Sequence, residues 1–368
     1  MKKKVGIAPD SFKQTLSAIE VCEIISEVLK EKYPDIQTDS IPVADGGEGT
    51  VDAFLYALGG EKIYCTVKSP LGRDISAYYG VLPDGSAVIE TAQAVGIGIE
   101  KINDPVKSGT YGLGQLILHA VKNGVKNIYI GLGGSATTDG GIGCLAALGV
   151  RFLDKNGESV PLCGEGLCEI ESIDTDNIDK DVLGCNIAVL CDVKNPLYGK
   201  NGAAYIFSPQ KGADENQVDF LDKGLENFAD KTKDILGKDF SCGEGAGAAG
   251  GLGFALTAFL NAQLKSGIDT VLGLTCFEER IKNAQLIITG EGKMDSQSLM
   301  GKVPFSVARK CEGKRVVAVV GVSKVSLTDC RSYGISEVIE TNPLHLPFEE
   351  IKHKASHMLC EACAKISL

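Results

Sequence analysis

Five apolar runs in this chain each end on a carboxylate, usually with glycines beside it. Val5–Ala8 leads into Pro9-Asp10-Ser11-Phe12-Lys13. Ser40–Ala44 leads into Asp45-Gly46-Gly47-Glu48-Gly49-Thr50. Asn127–Leu132 leads into Gly133-Gly134-Ser135-Ala136-Thr137-Thr138-Asp139-Gly140-Gly141. Ile187–Cys191 leads into Asp192, and Leu286–Gly290 into Glu291-Gly292-Lys293-Met294-Asp295-Ser296. In open parallel sheets, ligands bind beyond the carboxyl ends of the strands. Glycine lets the backbone approach a ligand closely. A turn leading into a helix N-terminus offers N–H groups to phosphate. Carboxylates suit Mg2+, which takes oxygen ligands and usually keeps several waters. The strongest phosphate cradle of this kind is Gly133 to Gly141, whose bland alternative is a strained structural turn.

The elements that must position these residues follow from periodicity. Apolar residues Ala18, Val21, Ile24, Ile25, Val28 and Leu29 predict a helix from Ser17 to Tyr33, with Ser17 as N-cap and Glu20 three residues on. Pro34 stops it. Ile36–Ala44 reads as a strand and Thr50–Leu58 as a helix ended by Gly59-Gly60. Lys62–Ser69, Asp74–Leu82 and Ser86–Glu90 read as antiparallel strands, with Pro83-Asp84-Gly85 as a turn. Helices are expected at Thr110–Lys122, after Gly141, at Asp214–Leu236 and at Leu252–Leu264. From about residue 280 the alternation returns: strand Leu286–Thr289, helix Val303–Cys311, strand Val316–Val320, helix Asp329–Tyr333, strand Glu337–Glu340, helix Phe348–Ala364. Continuous Val/Ile runs mark a parallel sheet covered on both faces. The fold class expected is α/β, with a doubly wound, flavodoxin- or Rossmann-like domain from both chain ends (residues 1–62 and 280–368). A mixed α/β domain, residues 63–279, is inserted between them.

Composition removes other classes. The net charge of −11 argues against a nucleic-acid partner, which needs a basic footprint. The 13 cysteines, mostly in apolar runs, read as small buried thiols in a reducing compartment. The start, MKKKVGIAPDSF, is too short in apolar residues for a signal peptide, and no run approaches the ~18 apolar residues of a membrane span. A cytoplasmic protein is expected by elimination, without a membrane partner. A homo-oligomer stays open. No GxxxxGK[ST] loop, protein-kinase triad or GxSxG elbow occurs. Gly245 to Gly250 matches GxGxxG, but no apolar strand precedes it; it is either tight packing at a helix start or a second glycine loop near nucleotide. Among the 4 histidines, His353 and His357 lie four apart on a charged helix face and carry no metal motif.

Taken in order, APDSFKQTLSA, PVADGGEGT, SPLGR, ETAQAVG, GLGGSATTDGGIG, CDVKNPLYG, GAGAAGGLG and ITGEGKMDSQSLMGKVP resemble the glycerate kinase type-1 family over nearly the whole chain. The resemblance implies ATP-dependent phosphorylation of D-glycerate, in serine, glyoxylate or sugar-diacid metabolism. It also implies a two-domain α/β protein, and 2-phosphoglycerate over 3-phosphoglycerate as product. Four positions depart from the family pattern. Gln14-Thr15 stands where Gly-Ser is usual, Thr138 where Asn is usual, and Lys293 where Arg is common.

Phosphoryl transfer needs positioning and charge neutralisation more than covalent chemistry. Asp192 or Asp45 could take the proton of the attacking hydroxyl. Asp45, Glu48 and Asp295 are candidates for Mg2+, Glu48 otherwise serving a helix start. Lys13 or Lys293 could neutralise γ-phosphate charge. Arg73 could grip the glycerate carboxylate in a bidentate fork, or form a surface ion pair. Asp10, Ser11 and Ser296 are further candidates for substrate. Gly133, Gly134, Ser135, Ala136, Thr137 and Asp139 form one candidate ATP cradle; Gly247, Gly250 and Gly251 form the other. A site between domains would close on its substrates and exclude water. Two rivals remain: an NAD-dependent dehydrogenase built on the GxGxxG run, and a non-catalytic regulator that binds sugar acids.

Overall fold

Ser17 starts the first helix by a reciprocal cap. The Glu20 N–H donates to Ser17 Oγ at 3.2 Å, and the Ser17 N–H donates to Glu20 Oε2 at 2.8 Å. The helix then runs Ala18–Lys32 and buries Ala18, Val21, Cys22, Ile25 and Leu29, one stripe at helical spacing. The structure, a computed structural model, describes residues 3–101, 104–296 and 298–368. Of the residues quoted above, Met1, Lys2 and Gln297 lie outside it.

Among the described residues there are thirteen strands: β1 (Lys4–Pro9), β2 (Gln37–Ser40), β3 (Glu61–Lys68), β4 (Asp74–Val81), β5 (Ala87–Glu90), β6 (Asn127–Gly131), β7 (Arg151–Leu153), β8 (Ser172–Asp174), β9 (Asn186–Leu190), β10 (Gln263–Lys265), β11 (Leu286–Met294), β12 (Arg315–Ser323) and β13 (Glu337–Glu340). The chain forms two compact units. One holds the chain up to Asp45, Asp52–Gly59 and Gly267–Leu368; the other holds Gly46–Val51 and Gly60–Ser266.

The first unit is built on a five-stranded, wholly parallel sheet in the order β13-β12-β11-β1-β2. Residues far apart in the chain pair directly: Val5 with Leu286 and Ile7 with Ile288. Val5, Ile7, Ile288, Val317 and Val319 are fully buried, packed with Ile25 and Leu29 of the first helix and with Leu359 and Cys363 near the C-terminus. On the opposite face Ile287, Val316 and Val320 are fully buried as well, and burial on both faces is why these strands read as unbroken apolar runs.

The second unit has its own sheet, β10-β9-β6-β5-β4-β3. β3, β4 and β5 pair antiparallel, whereas β5, β6, β9 and β10 pair parallel. Its core joins Ile89, Ile128, Ile130 and Val189 of the sheet to Leu113, Leu116 and Ile117 on the helix Tyr111–Lys122. A parallel sheet from both chain ends, with a mixed sheet from the middle, is the α/β class expected.

Several boundaries differ from the expectation. β11 runs on to Met294 instead of ending at Thr289, because β12 accompanies it: Lys293 pairs with Val322 and Met294 with Ser323. The helix expected from Leu252 to Leu264 is Ala248–Leu260, with Ala249, Gly250 and Gly251 at φ of 51°, 70° and 96°. The chain then turns into β10, a strand its three residues do not advertise. The last helix is split into Phe348–Ile351 and Ala355–Cys363. On the latter, Cys360 and Cys363 have CxxC spacing; both are free, and burial pushes the Cys363 thiol up to about 12. No helix among the described residues is long and apolar enough to cross a membrane.

Candidate active site

Read by position in the chain, the first sheet has the order 2-1-3-4-5, so its winding reverses between β1 and β11. Loops leaving two such strands at their carboxyl ends diverge and leave a crevice. The Asp10 N–H donates to Gly290 O at 2.9 Å, which extends the β1–β11 pairing by one residue and sets Asp10 beside Glu291. The Val43 N–H donates to Pro9 O at 2.9 Å, and this delivers Asp45 to the same edge.

The carboxylates there crowd each other. Asp10 is 8% exposed, and burial, then the charge of Asp45, pushes its carboxyl up to about 7. The Ser11 N–H, donating to Asp10 Oδ1 at 2.7 Å, and Lys13 pull the other way. Glu291 is 5% exposed and burial lifts it to about 7 as well, with Ser298 and Lys302 opposing and Asp295 adding. Among the described residues, its buried Oε1 has no hydrogen-bond partner. Three lysines edge the cluster. Lys13 Nζ lies 3.4 Å from Asp45 Oδ2, which raises the lysine's own pKa. Lys293 Nζ lies 3.1 Å from Asp295 Oδ2. Lys302 Nζ lies 3.9 Å from both Glu291 Oε2 and Asp295 Oδ1. The Asp295 N–H donates to Ser298 Oγ at 3.1 Å, and Ser296 is exposed beside it.

Among the described residues no three His, Cys, Asp or Glu side chains are placed to hold a metal by themselves. A Mg2+ carried in on phosphates needs only one or two protein carboxylates. The cluster fits such an ion. The carboxyls of Asp10 and Glu291 are held high by burial and by neighbouring carboxylates, the mark of a site short of positive charge.

In the second unit, the remaining strand-end residues lie at the carboxyl ends of the parallel strands β6 and β9. Asp192, after β9, is exposed, as is Glu48 in the Gly46–Val51 segment. The Gly133 N–H donates to Gly46 O at 2.9 Å; a Cβ on Gly133 would lie 2.4 Å from Gly47 Cα, so only glycine lets these loops touch. Of the first candidate cradle, Gly134 is exposed and Gly133 partly so, while Ser135, Ala136, Thr137 and Asp139 are buried. Asp139 works inside the turn. Its Oδ2 accepts from the Thr110 N–H at 2.8 Å, the Thr110 hydroxyl at 2.7 Å and the Gly143 N–H at 3.2 Å, and its Oδ1 from the Gly141 N–H at 3.0 Å.

The second candidate cradle packs onto the first. Gly247, Gly250 and Gly251 are all buried. The Gly140 N–H donates to Gly250 O at 2.9 Å, and a Cβ on Gly250 would lie 2.1 Å from Thr137 O. These glycines are explained by tight packing at a helix start, and no strand precedes them, which removes the dinucleotide reading of the GxGxxG run. The Arg73 guanidinium is engaged by Glu100: Nη2 contacts Oε2, and Nε donates to Oε1 at 3.4 Å. The Ser69 hydroxyl, then Arg73, hold the Glu100 carboxyl below its usual range. The ion-pair alternative for Arg73 is therefore the one the fold realises.

Sequence reasoning did not single out Glu291, Lys302, Glu90 or Lys211 as site residues. Glu90 Oε1 accepts the Val51 N–H at 2.5 Å, capping a helix start. Glu291, Lys302 and Glu90 sit inside quoted motifs and could have been found there. Lys211 lies outside every motif.

Comparison with known proteins agrees over the full length. A model described as the glycerate kinase family matches residues 5–368. A protein named glycerate 2-kinase from Escherichia coli strain K12 is 44% identical over 374 residues, covering 99% of this chain and 97% of that one. A glycerate kinase from Bacillus subtilis strain 168 is 41% identical over 362 residues, covering 96% and 94%. A crystal structure of a candidate glycerate kinase 2 from Salmonella typhimurium LT2 superposes with a TM-score of 0.84 at 40% identity, covering 99% of this chain and 97% of that one.

Proposed function

This chain belongs to the glycerate kinase family, and from that premise we propose that it transfers the γ-phosphoryl group of Mg-ATP to the 2-hydroxyl of D-glycerate. The observation that carries this reading is the cluster of Asp10, Asp45, Glu291 and Asp295, edged by Lys13, Lys293 and Lys302, at the switch point of a parallel sheet. The name of the Escherichia coli relative favours the 2-hydroxyl over the 3-hydroxyl.

Each residue then has a task. Asp45 and Asp295 would hold Mg2+, the group that neutralises charge on the phosphates. Lys13 and Lys293, both exposed, add positive charge for the γ-phosphoryl. Glu291 is the best-placed acceptor of a substrate proton: among the described residues its Oε1 has no hydrogen-bond partner, and its carboxyl titrates near neutral pH. Asp192 and Asp45 remain the alternative bases. Gly133 and Gly134 offer the exposed part of the phosphate cradle. The rival regulator would bind glycerate and leave ATP intact.

Incubation with ATP, Mg2+ and D-glycerate, followed by phosphorus NMR, decides. The expected product is 2-phosphoglycerate. The 3-isomer would overturn the regiochemistry, and no phosphoglycerate at all would sink the kinase reading.

A further inference from the structure

Lys211 is 2% exposed, the only lysine among the described residues buried this deeply. It ends the short turn Pro209–Lys211, and its Nζ donates to Thr137 O at 2.6 Å and to Ser135 Oγ at 3.2 Å. Ser208, just before that turn, reaches the same loop: its Oγ and Thr138 Oγ1 lie 2.9 Å apart. Ser208 and Lys211, flanking and ending one turn, thus grip three loop residues, Ser135, Thr137 and Thr138, from the inside. Asp139 is the charged group whose field reaches the amine, and it makes no hydrogen bond to it. Burial holds the amine down to about 7. An apolar side chain would fill this space without the cost of burying a charge. What lysine adds is a set of donors that turns the Thr137 carbonyl and the Ser135 hydroxyl inward. Those acceptors are thereby withdrawn from the surface that an anion must approach.

Resting on the reading of the Gly133–Asp139 turn as the cradle for ATP phosphates, we propose that Lys211 is a positioning residue for phosphoryl transfer. Its ammonium group holds that turn in the shape that receives the nucleotide.

Steady-state kinetics of the full-length enzyme tests this, with ATP and D-glycerate varied separately from about pH 6 to about pH 9. Lys211→Met is expected to raise KM for ATP about tenfold or more at the acid end, leaving KM for D-glycerate within about twofold. In the wild type, KM for ATP should climb as pH passes about 7, where Lys211 loses its proton; the variant should lack that limb. Ser135→Ala, which removes one acceptor from the ammonium, should move the limb to lower pH. This milder variant, with the wild-type profile, decides the matter if Lys211→Met fails to fold. A KM for ATP that ignores Lys211→Met, a limb that persists in it, or equal rises in both KM values would overturn the proposal. A wild type with no ATP-dependent phosphorylation of D-glycerate would sink the kinase reading itself; a working kinase indifferent to Lys211 would sink only this inference.

Discussion

Glu291 is costly for the fold and useful for the chemistry. Its carboxyl rises from the ordinary 4.5 to about 7, so the native state binds a proton that the unfolded chain has already lost over that interval. The neutral form's advantage is complete below about pH 4.5 and is lost as pH rises through 7. Without ligands, Glu291→Gln should therefore be the more stable protein at pH 8, with a stability advantage over the wild type that grows between those two pH values; urea midpoints measure this. An advantage that shrinks with pH would mean the carboxyl is not held high. The same variant should lose about a hundredfold or more in kcat, as expected for a group that handles the transferred proton. Such opposition between stability and activity is common where carboxylates are forced together.

The Ser11–Leu16 turn and the first helix illustrate what single positions do for an element. Phe12 and Leu16 pair across the turn, and the Thr15 hydroxyl donates to Phe12 O at 2.6 Å. Gln14 sits inside at φ 68°, a left-handed conformation that L side chains resist. This is the position where the family pattern has glycine. Gln14→Gly should stabilise the protein by about 1 kcal/mol, because relief of the left-handed strain exceeds the added chain entropy. Ser17→Ala, which breaks the capping box, should cost about 1 kcal/mol. Gly250→Ala should be far worse than either, since the new methyl would strike the Thr137 carbonyl. Chemical denaturation of the three variants ranks them; a destabilised Gln14→Gly would refute the strain argument.

At the scale of the molecule, the cost of the crowded carboxylates should be visible as ligand dependence. Mg-ATP at about a hundred times its Kd should stabilise the protein by about 2.7 kcal/mol through mass action. Mg2+ alone should stabilise the wild type more than Asp45→Asn, because that variant removes a proposed ligand and a repelling charge together. Thermal unfolding scans with and without each ligand would measure both effects, and equal Mg2+ shifts in the two proteins would exclude Asp45 from metal binding. All 13 cysteines are free in this fold, so denaturing alkylation without reductant should add thirteen labels.

Much of this was written locally. Ser17 with Glu20, the helical stripe behind them, and the continuous Val/Ile runs determined the first helix and the class of the sheet, because caps and periodicity act within a few residues. The carboxylates after the strands were legible as candidates for the same reason. Which of them meet was not. Thr289 bonds to Ala8 across 281 residues, and that long-range pairing puts Glu291 beside Asp10. Strand order also extended β11 to carry Glu291 and Lys293, and packing buried most of the Gly133–Asp139 turn against Lys211. Local patterns record what each segment needs of its environment; only tertiary packing decides which distant segment supplies it, and at what cost in desolvated charge.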